Sequence, residues 1–246
     1  LARAKEAKCS ALVITLDLQV LGQRHKDIKN GLSAPPKLTP KTLLNLSTKW
    51  RWGMEMLGTK RKNFGNVVGH AEGVSDTTSL SSWTAEQFDP KLDWNKIKAL
   101  RDQWDGKVIL KGILDAEDAK LAVNVGADAI IVSNHGGRQL DGAQSSIRTL
   151  PSIIDAVGDK IEVHVDGGIR SGQDVLKALA LGAKGTYIGR SYIYGLGAMG
   201  QEGVRLALEI IQKELETTMA LCGHRSLDQL SRDTLMIPAD FRGDWA

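Results

Sequence analysis

The sequence predicts an α/β fold built around a parallel β-sheet, and three observations support this prediction. From about residue 108 onward, short β-branched apolar runs alternate with amphipathic stretches. The runs are continuous rather than alternating, as is typical of strands buried on both faces. The amphipathic stretches are long enough to form helices that connect parallel strands. The chain has 246 residues, of which 42% are hydrophobic, so it can form a sizeable core.

Five strand–helix units follow one another along the chain. Strands are predicted at residues 11–17, 108–112, 129–132, 161–165 and 185–188. Their helices are predicted at about 94–104, 115–125, 149–157, 172–181 and 201–221. Asp115 is a predicted N-cap, and Gly126 and Gly182 are predicted helix ends. A segment at about 18–92, with few periodic features, separates the first strand from its helix.

Polar residues at the strand ends distinguish two architectures, a doubly wound open sheet and a barrel of eight units. A reactive residue type lies at or just after the end of every strand: Asp17, Lys111, His135, Asp166 and Arg190. In (β/α)8 barrels the active site lies at the rim formed by the C-terminal ends of the strands. Reactive residues at all five strand ends therefore favour the TIM barrel over the alternative that they are five unrelated loop residues. Five units do not close such a barrel, and the chain begins at Leu1. We therefore expect an N-terminally incomplete barrel that contains strands 4–8.

The densest group of polar residues runs from Ser133 to Arg138. His135 can act as a general base near neutral pH, although a loop histidine with a satisfied hydrogen bond is the alternative. Arg138 can bind a carboxylate through two hydrogen bonds. A carboxylate such as Asp17 beside the imidazole would fix its tautomer and stabilise its protonated form.

Two glycine-containing motifs follow the last two predicted strands. The first is Asp166-Gly167-Gly168-Ile169-Arg170, and the second is Gly189-Arg190. Loops at these positions of a barrel often bind phosphate through backbone N–H groups, so the motifs predict a phosphate site. Lys111 would point into the same rim, either as a cofactor contact or in an ion pair with Asp17 or Asp166.

Charge and composition exclude several classes of protein. The net charge of +3 is too small to indicate a nucleic-acid-binding protein, and two cysteines exclude a disulfide scaffold. The histidines have no metal-ligand spacing, so no metal site is predicted. Residues 37–62 hold seven basic residues and one acidic residue, together with Trp50 and Trp52. This segment is typical of a region that binds an anionic lipid surface, or of a loop whose tryptophans pack on the domain.

Together these stretches resemble the FMN-dependent α-hydroxy-acid oxidase and dehydrogenase family. The matching stretches are 15–17 with 21–24, 111–113, 133–141, 166–170, and 178–183 with 189–190. The Ser-Asn-His-Gly-Gly-Arg-Gln stretch is highly specific to that family, and the resemblance extends over nearly the whole chain. The sequence differs at Leu18-Gln19, where the family usually has Thr-Pro.

The resemblance implies a single FMN-binding barrel domain over residues 1–246, with a basic variable insertion at 31–82. It implies that Thr15, Lys111 and Ser133 lie beside the flavin ring. The ribityl chain and phosphate would be held by the glycine-containing motifs, namely Asp166, Gly167, Gly168, Ile169, Arg170, Gly189 and Arg190.

The remaining roles implied by the resemblance concern the substrate. Arg138 and Arg24 would bind its carboxylate, and His135, paired with Asp17, would be the catalytic base. The expected reaction is FMN-dependent oxidation of an L-2-hydroxy acid to a 2-oxo acid. L-lactate is the first expectation for the substrate, before glycolate and mandelate, and hydride and carbanion routes both stay open.

The basic segment favours a quinone over oxygen as the electron acceptor. The resemblance implies a homotetramer. We expect the protein in the cytoplasm, peripherally attached to the inner face of the cytoplasmic membrane through residues 37–62. The alternatives are an oxygen-using hydroxy-acid oxidase, another FMN barrel such as a type 2 isopentenyl diphosphate isomerase, or a non-catalytic half-barrel with a lipid-binding loop.

Overall fold

The computed structural model of the chain describes residues 1–20, 22–30, 39–60, 65–68, 70, 83 and 89–242. The chain consists of two compact units. One comprises Leu1–Asp17 and Lys91–Ala246, and the other comprises Leu18–Pro90. The expectation of a single domain with an insertion at 31–82 stays a prediction.

A five-stranded parallel sheet forms the centre of the first unit. Its strands are β1 (Ala11–Thr15), β2 (Lys107–Ile113), β3 (Ala129–Val132), β4 (Glu162–Val165) and β5 (Gly185–Thr186). Each strand pairs in parallel with the next strand along the chain, and the sheet order is β1-β2-β3-β4-β5. The prediction of five parallel units is confirmed, although the first strand ends at Thr15 rather than at residue 17.

Helices precede and connect these strands. They are α1 (Ala2–Glu6), α5 (Trp94–Asp102), α6 (Ala116–Asn124), α7 (Ser146–Val157), α8 (Gly172–Ala180) and α9 (Arg190–Leu221). Short 3₁₀ turns form at His135–Gly137, Leu227–Gln229, Arg232–Thr234 and Ala239–Arg242. The Asp115 cap is confirmed, because its carboxylate accepts the N–H groups of Glu117 and Asp118.

Helix α9 differs most from its prediction. It begins at Arg190 rather than at residue 201, and its helical geometry is interrupted at Gly200. Gly195, Gly197 and Gly200 weaken the helical pattern of the first part, which explains why the sequence indicated only the second part.

The core of the first unit lies between the sheet and its helices. Leu110, Ile130 and Val132 of the strands pack in one cluster with Leu150 and Ile153 of α7, and all five are fully buried. Every residue of β3 is buried, as expected for a strand in the middle of a parallel sheet. This core holds the strand ends, and therefore their polar side chains, in fixed positions.

The second unit contains three described helices, which the weak periodicity of residues 18–92 did not indicate. They are α2 (His25–Lys29), α3 (Pro40–Ser47) and α4 (Trp50–Gly58). Thr39 caps α3 by accepting the N–H of Thr42, and Pro40 takes the first helical position, where no N–H partner is needed. Lys37, Arg61 and Lys62 of the predicted basic segment lie outside the described residues.

Candidate functional site

A cavity of about 740 Å³ lies in the first unit, where the strands end. Its wall contains four basic side chains, Lys111, Arg138, Arg170 and Arg190, and one acidic side chain, Asp166. An excess of positive charge in a concave site attracts anionic ligands. The cavity is therefore suited to a ligand that bears a phosphate or a carboxylate.

His135 and Asp17 form a contact beside this cavity. The Nδ1 atom of His135 lies 3.1 Å from Oδ1 of Asp17, and the two side chains are 25% and 17% exposed. The backbone carbonyl of Asp17 accepts a hydrogen bond of 2.8 Å from the Gln139 amide. Oδ2 of Asp17 is buried without a hydrogen-bond partner among the described residues. The contact leaves Nε2 of His135 as the ring nitrogen that can exchange a proton with a substrate.

The turn that presents His135 is held in an unusual backbone conformation. His135 has a φ of +56°, which costs a residue other than glycine of order 1–3 kcal/mol. Three contacts stabilise the turn. The N–H of His135 donates to Ser133 Oγ, the N–H of Gly137 donates to Asn134 Oδ1, and Arg190 donates to the carbonyl of Gly136. Such over-determined strain is typical of functional sites.

Lys111 pairs with Asp166 rather than with Asp17. Its Nζ lies 2.8 Å from Oδ2 of Asp166 and donates to Ser133 Oγ over the same distance. The side chains of Lys111 and Asp166 are only 21% and 15% exposed, so the ion pair lessens the cost of burying either charge. A third ammonium N–H remains for a ligand in the cavity.

In the loop after β4, some backbone N–H and C=O groups are already hydrogen-bonded, and others are accessible to a ligand. Ser146 donates to the carbonyl of Asp166, whereas the N–H of Arg170 is already bonded to the carboxylate of Asp174. Gly168 is exposed at a φ of +85°, and a Cβ added to it would meet no atom within 4 Å. Its backbone can therefore be approached closely by a ligand, whereas the N–H of Arg170 cannot serve the predicted phosphate site.

The structure brings most of the predicted site residues together. His135 and Arg138 line the cavity. So do eight of the ten predicted cofactor residues, namely Lys111, Asp166, Gly167, Gly168, Ile169, Arg170, Gly189 and Arg190. Thr15 and Ser133 are not in its wall. Thr15 pairs with Lys111 across β1 and β2, and Ser133 is fully buried beneath Lys111. Arg24 belongs to the second unit, so its substrate contact stays a prediction.

Sequence reasoning missed some contributors. Tyr187 and Ile131 also line the cavity, and no local pattern distinguishes them from ordinary strand residues. Gly112 was recognised only as part of a motif. A glycine inside an apolar strand is a known signal for a bulge or a close backbone approach, and this signal was available.

The fold and the site together define an α/β protein of the (β/α)8 barrel class whose cavity at the strand ends is rich in basic side chains. The chain belongs to the FMN-dependent dehydrogenase family, whose model matches residues 1–237. It is 46% identical over 239 residues to an L-lactate dehydrogenase of Caulobacter sp. (strain K31), covering 96% of this chain and 62% of the relative. An L-lactate dehydrogenase of Vibrio cholerae serotype O1 is 44% identical over 237 residues, again covering 96% of this chain and 62% of the relative.

Solved structures show the same similarity. The monotopic membrane protein (S)-mandelate dehydrogenase matches with a TM-score of 0.89 and 34% identity, over 96% of this chain and 62% of that one. A mandelate oxidase matches with a TM-score of 0.71 and 39% identity, over 94% of this chain and 57% of that one. The chain thus spans about three fifths of the length of these relatives.

The residues at the rim fit FMN, which combines a flat ring system with a phosphate. The cavity volume lies in the range typical of cofactor sites. Its four basic side chains suit the phosphate, and the open backbone at Gly168 permits close approach. Oδ1 of Asp166 is buried without a hydrogen-bond partner among the described residues, and it can accept a bond from a ligand hydroxyl. Within the same residues, no group of three or more potential metal ligands was found.

Proposed function

We propose that the protein containing this chain oxidises an L-2-hydroxy acid to the corresponding 2-oxo acid with FMN as cofactor. The observation that supports this proposal best is the His135–Asp17 contact beside a cavity rich in basic side chains. A base, a carboxylate-binding arginine and a cofactor site are the three components that this reaction requires. Membership in the FMN-dependent dehydrogenase family agrees with the same chemistry.

Each residue takes a role that its position permits. Arg138, in the cavity wall, binds the substrate carboxylate and so orients the α-carbon, and the family resemblance assigns Arg24 to the same carboxylate. His135 removes a proton from the substrate, and Asp17 stabilises the imidazolium that forms. In acid–base catalysis a positioned base of this kind contributes about 10²–10⁴-fold.

FMN, held by Lys111 and by the motifs at 166–170 and 189–190, would supply the two-electron acceptor. The ammonium of Lys111 would supply positive charge that stabilises the added negative charge of the reduced cofactor. Asp166 keeps this ammonium in place through the 2.8 Å contact. Arg170 and Arg190 neutralise the phosphate. Neither Thr15 nor Ser133 lines the cavity, so Ser133 would act through Lys111, which donates to its hydroxyl, and a place for Thr15 beside the ring is what the family resemblance implies.

L-lactate is the proposed substrate, because the L-lactate dehydrogenases of Caulobacter and Vibrio are about 45% identical to this chain. Glycolate and mandelate are the alternatives. The basic segment favours a membrane quinone as electron acceptor, and an oxygen-using oxidase is the competing possibility. A homotetramer in the cytoplasm is part of the same proposal.

A visible absorption spectrum before and after anaerobic addition of L-lactate tests the reaction. We expect a flavin band near 450 nm, the usual region for oxidised flavin, and its bleaching by L-lactate. His135→Gln should keep the flavin but slow the bleaching by about 10²–10⁴-fold. A protein without flavin, or a variant that is reduced as fast as the parent, would refute the proposal.

We further propose peripheral binding to the inner face of the cytoplasmic membrane through residues 37–62. Helix α4 exposes Trp50, Met54 and Leu57, with side chains 62%, 59% and 78% accessible, and (S)-mandelate dehydrogenase is a monotopic membrane protein. Within the described ranges, none of the helices combines the length and the apolar character of a membrane span. Apolar side chains in a basic segment suit an anionic lipid surface.

Sedimentation with liposomes tests the membrane proposal. Binding to anionic vesicles should weaken as salt is raised, because salt screens exposed charges. It should also weaken when residues 37–62 are deleted or when Trp50 and Trp52 are replaced by alanine. Unchanged binding after the deletion would contradict the proposal, and neutral vesicles provide the control.

A further inference from the structure

Gly112 lies in β2 directly after Lys111, at an irregularity in the sheet. Lys111 is aligned with Ile131 of β3, but Ile113 is aligned with the very next residue, Val132. Strand β2 therefore has one residue more than β3 at this point, which is a β-bulge. Gly112 is that residue, with a φ of +109° that side-chain-bearing residues rarely adopt.

The bulge changes the direction of the residues that follow it. In regular β-structure, residues 111 and 113 would point to the same face. Instead, Ile113 is 2% exposed and joins Val108 and Leu110 in the core, while Lys111 lines the cavity. Lys111 is thus the residue of β2 that lines the cavity, and the space beside Gly112 becomes available to the segment that follows β1.

Asp17 occupies this space. A Cβ added to Gly112 would lie 2.9 Å from Cγ of Asp17, 3.0 Å from its Cβ and 3.1 Å from its backbone nitrogen. Contacts as short as these would force Asp17 to move. On its other side, Asp17 contacts the His135 imidazole and the Gln139 amide, so a displacement would disturb the pairing with His135.

We propose that Gly112 is a positioning residue for the catalytic base, because the missing side chain lets Asp17 approach β2 closely enough to pair with His135. This inference rests on the proposed function of His135 and Asp17. Gly112 itself contacts neither substrate nor cofactor in this proposal and acts only through Asp17. No other residue type fits the position, because every other one has a Cβ.

A double-mutant cycle of Gly112→Ala and Asp17→Ala in the full-length flavin-containing protein tests the inference. Gly112→Ala should lower kcat by about 10²-fold, since a displacement of about 1 Å can have an effect of this size. Its flavin content and absorption spectrum should equal those of the parent. When Asp17 is already alanine, adding Gly112→Ala should change kcat by less than about twofold, because sites that act through one contact are not additive.

Gly182→Ala is the matched control. Gly182 has a φ of +110°, and an added Cβ would lie 3.0 Å from Ile154 Cγ2, away from the cavity residues. This variant should lower Tm as Gly112→Ala does, but kcat should stay within about twofold of the parent. Independent, multiplicative losses of kcat for Gly112→Ala and Asp17→Ala would overturn the inference, as would an unchanged kcat of Gly112→Ala.

Thermal unfolding of the same four proteins provides a second readout. Replacing Asp17 by alanine removes the Cγ atom at 2.9 Å from a Cβ added at position 112 but keeps the Cβ at 3.0 Å, so Gly112→Ala should lower Tm only somewhat less in that background. If Gly112→Ala alone yields no folded protein, Asp17→Gly replaces Asp17→Ala in the cycle, because it removes the Cβ contact as well; a folded double variant then supports the inference and an unfolded one refutes it. If L-lactate does not reduce the flavin of the parent protein, the proposed function is overturned. In that case the thermal unfolding cycle still decides the role of Gly112.

Discussion

Strand β2 has a lysine toward each end, and the two lysines differ in what surrounds their carboxylate partners. Lys107 lies 2.8 Å from Asp128 at the end where β2 begins, and Lys111 lies 2.8 Å from Asp166 near the end where it finishes. Oδ2 of Asp128 also accepts the N–H of Val108, so both of its oxygens are bonded. Oδ1 of Asp166, by contrast, is buried without a partner among the described residues.

This difference distinguishes charges that stabilise the fold, where β2 begins, from charges that belong to the candidate site, near where β2 ends. Asp128 closes its own network, which includes Arg101 at 3.8 Å, and leaves nothing for a ligand. At the opposite end, Asp17 and Asp166 each retain one buried oxygen without a partner among the described residues. Unsatisfied buried polar atoms reduce stability, so two such oxygens at the cavity end fit a ligand-binding site there.

The largest expected contrast comes from removing one charge at each end. Asp17→Asn should slow flavin reduction by about 10²–10⁴-fold, because the imidazolium loses its carboxylate. Its stability should change little, since asparagine has the same shape and a buried amide group takes the place of the carboxylate oxygen that has no partner among the described residues. Asp128→Asn should leave the reduction rate within about twofold and lower the free energy of unfolding by about 1–2 kcal/mol.

Stopped-flow reduction and urea unfolding of both variants check this pair. The converse pattern, with activity lost in Asp128→Asn and stability lost in Asp17→Asn, would show that the two ends have been assigned the wrong way round.

The two lysines of β2 should show a smaller contrast of the same kind. Lys111→Met should slow flavin reduction by about 10²–10³-fold, the usual effect of removing one preorganised electrostatic group. Lys107→Met, whose side chain is 73% exposed, should leave the rate unchanged and alter stability by about 0–1 kcal/mol. Equal rates for the two variants would contradict the role of Lys111, and flavin content should be measured for both.

The smallest expected effect is the pH dependence of stability at the Asp128 end. Burial raises the pKa of Asp128, but the hydrogen bonds from Lys107 and Val108 and the charges of Lys107 and Arg101 outweigh it and lower the pKa below 3.8. A carboxyl group whose pKa is lower in the folded than in the unfolded state stabilises the fold at pH values above its ordinary pKa. This stabilisation is lost as the pH falls through the lowered pKa. The stability difference between the parent and Asp128→Asn should therefore shrink from about pH 5 downward.

Unfolding curves of the two proteins at several pH values between neutral and acidic measure this difference. A difference that grows on acidification would contradict the lowered pKa. His135→Gln, which leaves the Asp128 network intact, is a suitable control.

Much of the first unit could be predicted from local sequence. The continuous apolar run of β3 and the Asp115 cap act within a few residues, so their structures follow from the sequence directly. The strand-end residues were also predicted to meet, because parallel strands place their carboxyl ends along one edge. Arg138 and Arg190 lie in the wall of one cavity for this reason.

Features that depend on pairing between distant segments could not be predicted in this way. The choice of Asp166 over Asp17 as partner of Lys111 depends on how the ends of β1, β2 and β4, which are distant in the sequence, lie in the sheet. The fully buried position of Ser133 has a similar origin, because its hydroxyl is covered by Lys111 and by the turn at His135. Helices α3 and α4 were missed, although their apolar residues are spaced as in an amphipathic helix.

The order of the sheet also determines how the protein reaches its native state. Strands β2 to β5 pair with near neighbours along the chain, whereas β1 and β2 are separated by the whole unit Leu18–Pro90. Closing a longer loop costs more conformational entropy, so local pairings form first and the β1–β2 pairing forms late. Asp17 follows β1 and His135 follows β3, so their contact is completed only with this late step. On refolding, recovery of catalytic activity should therefore lag behind burial of the core.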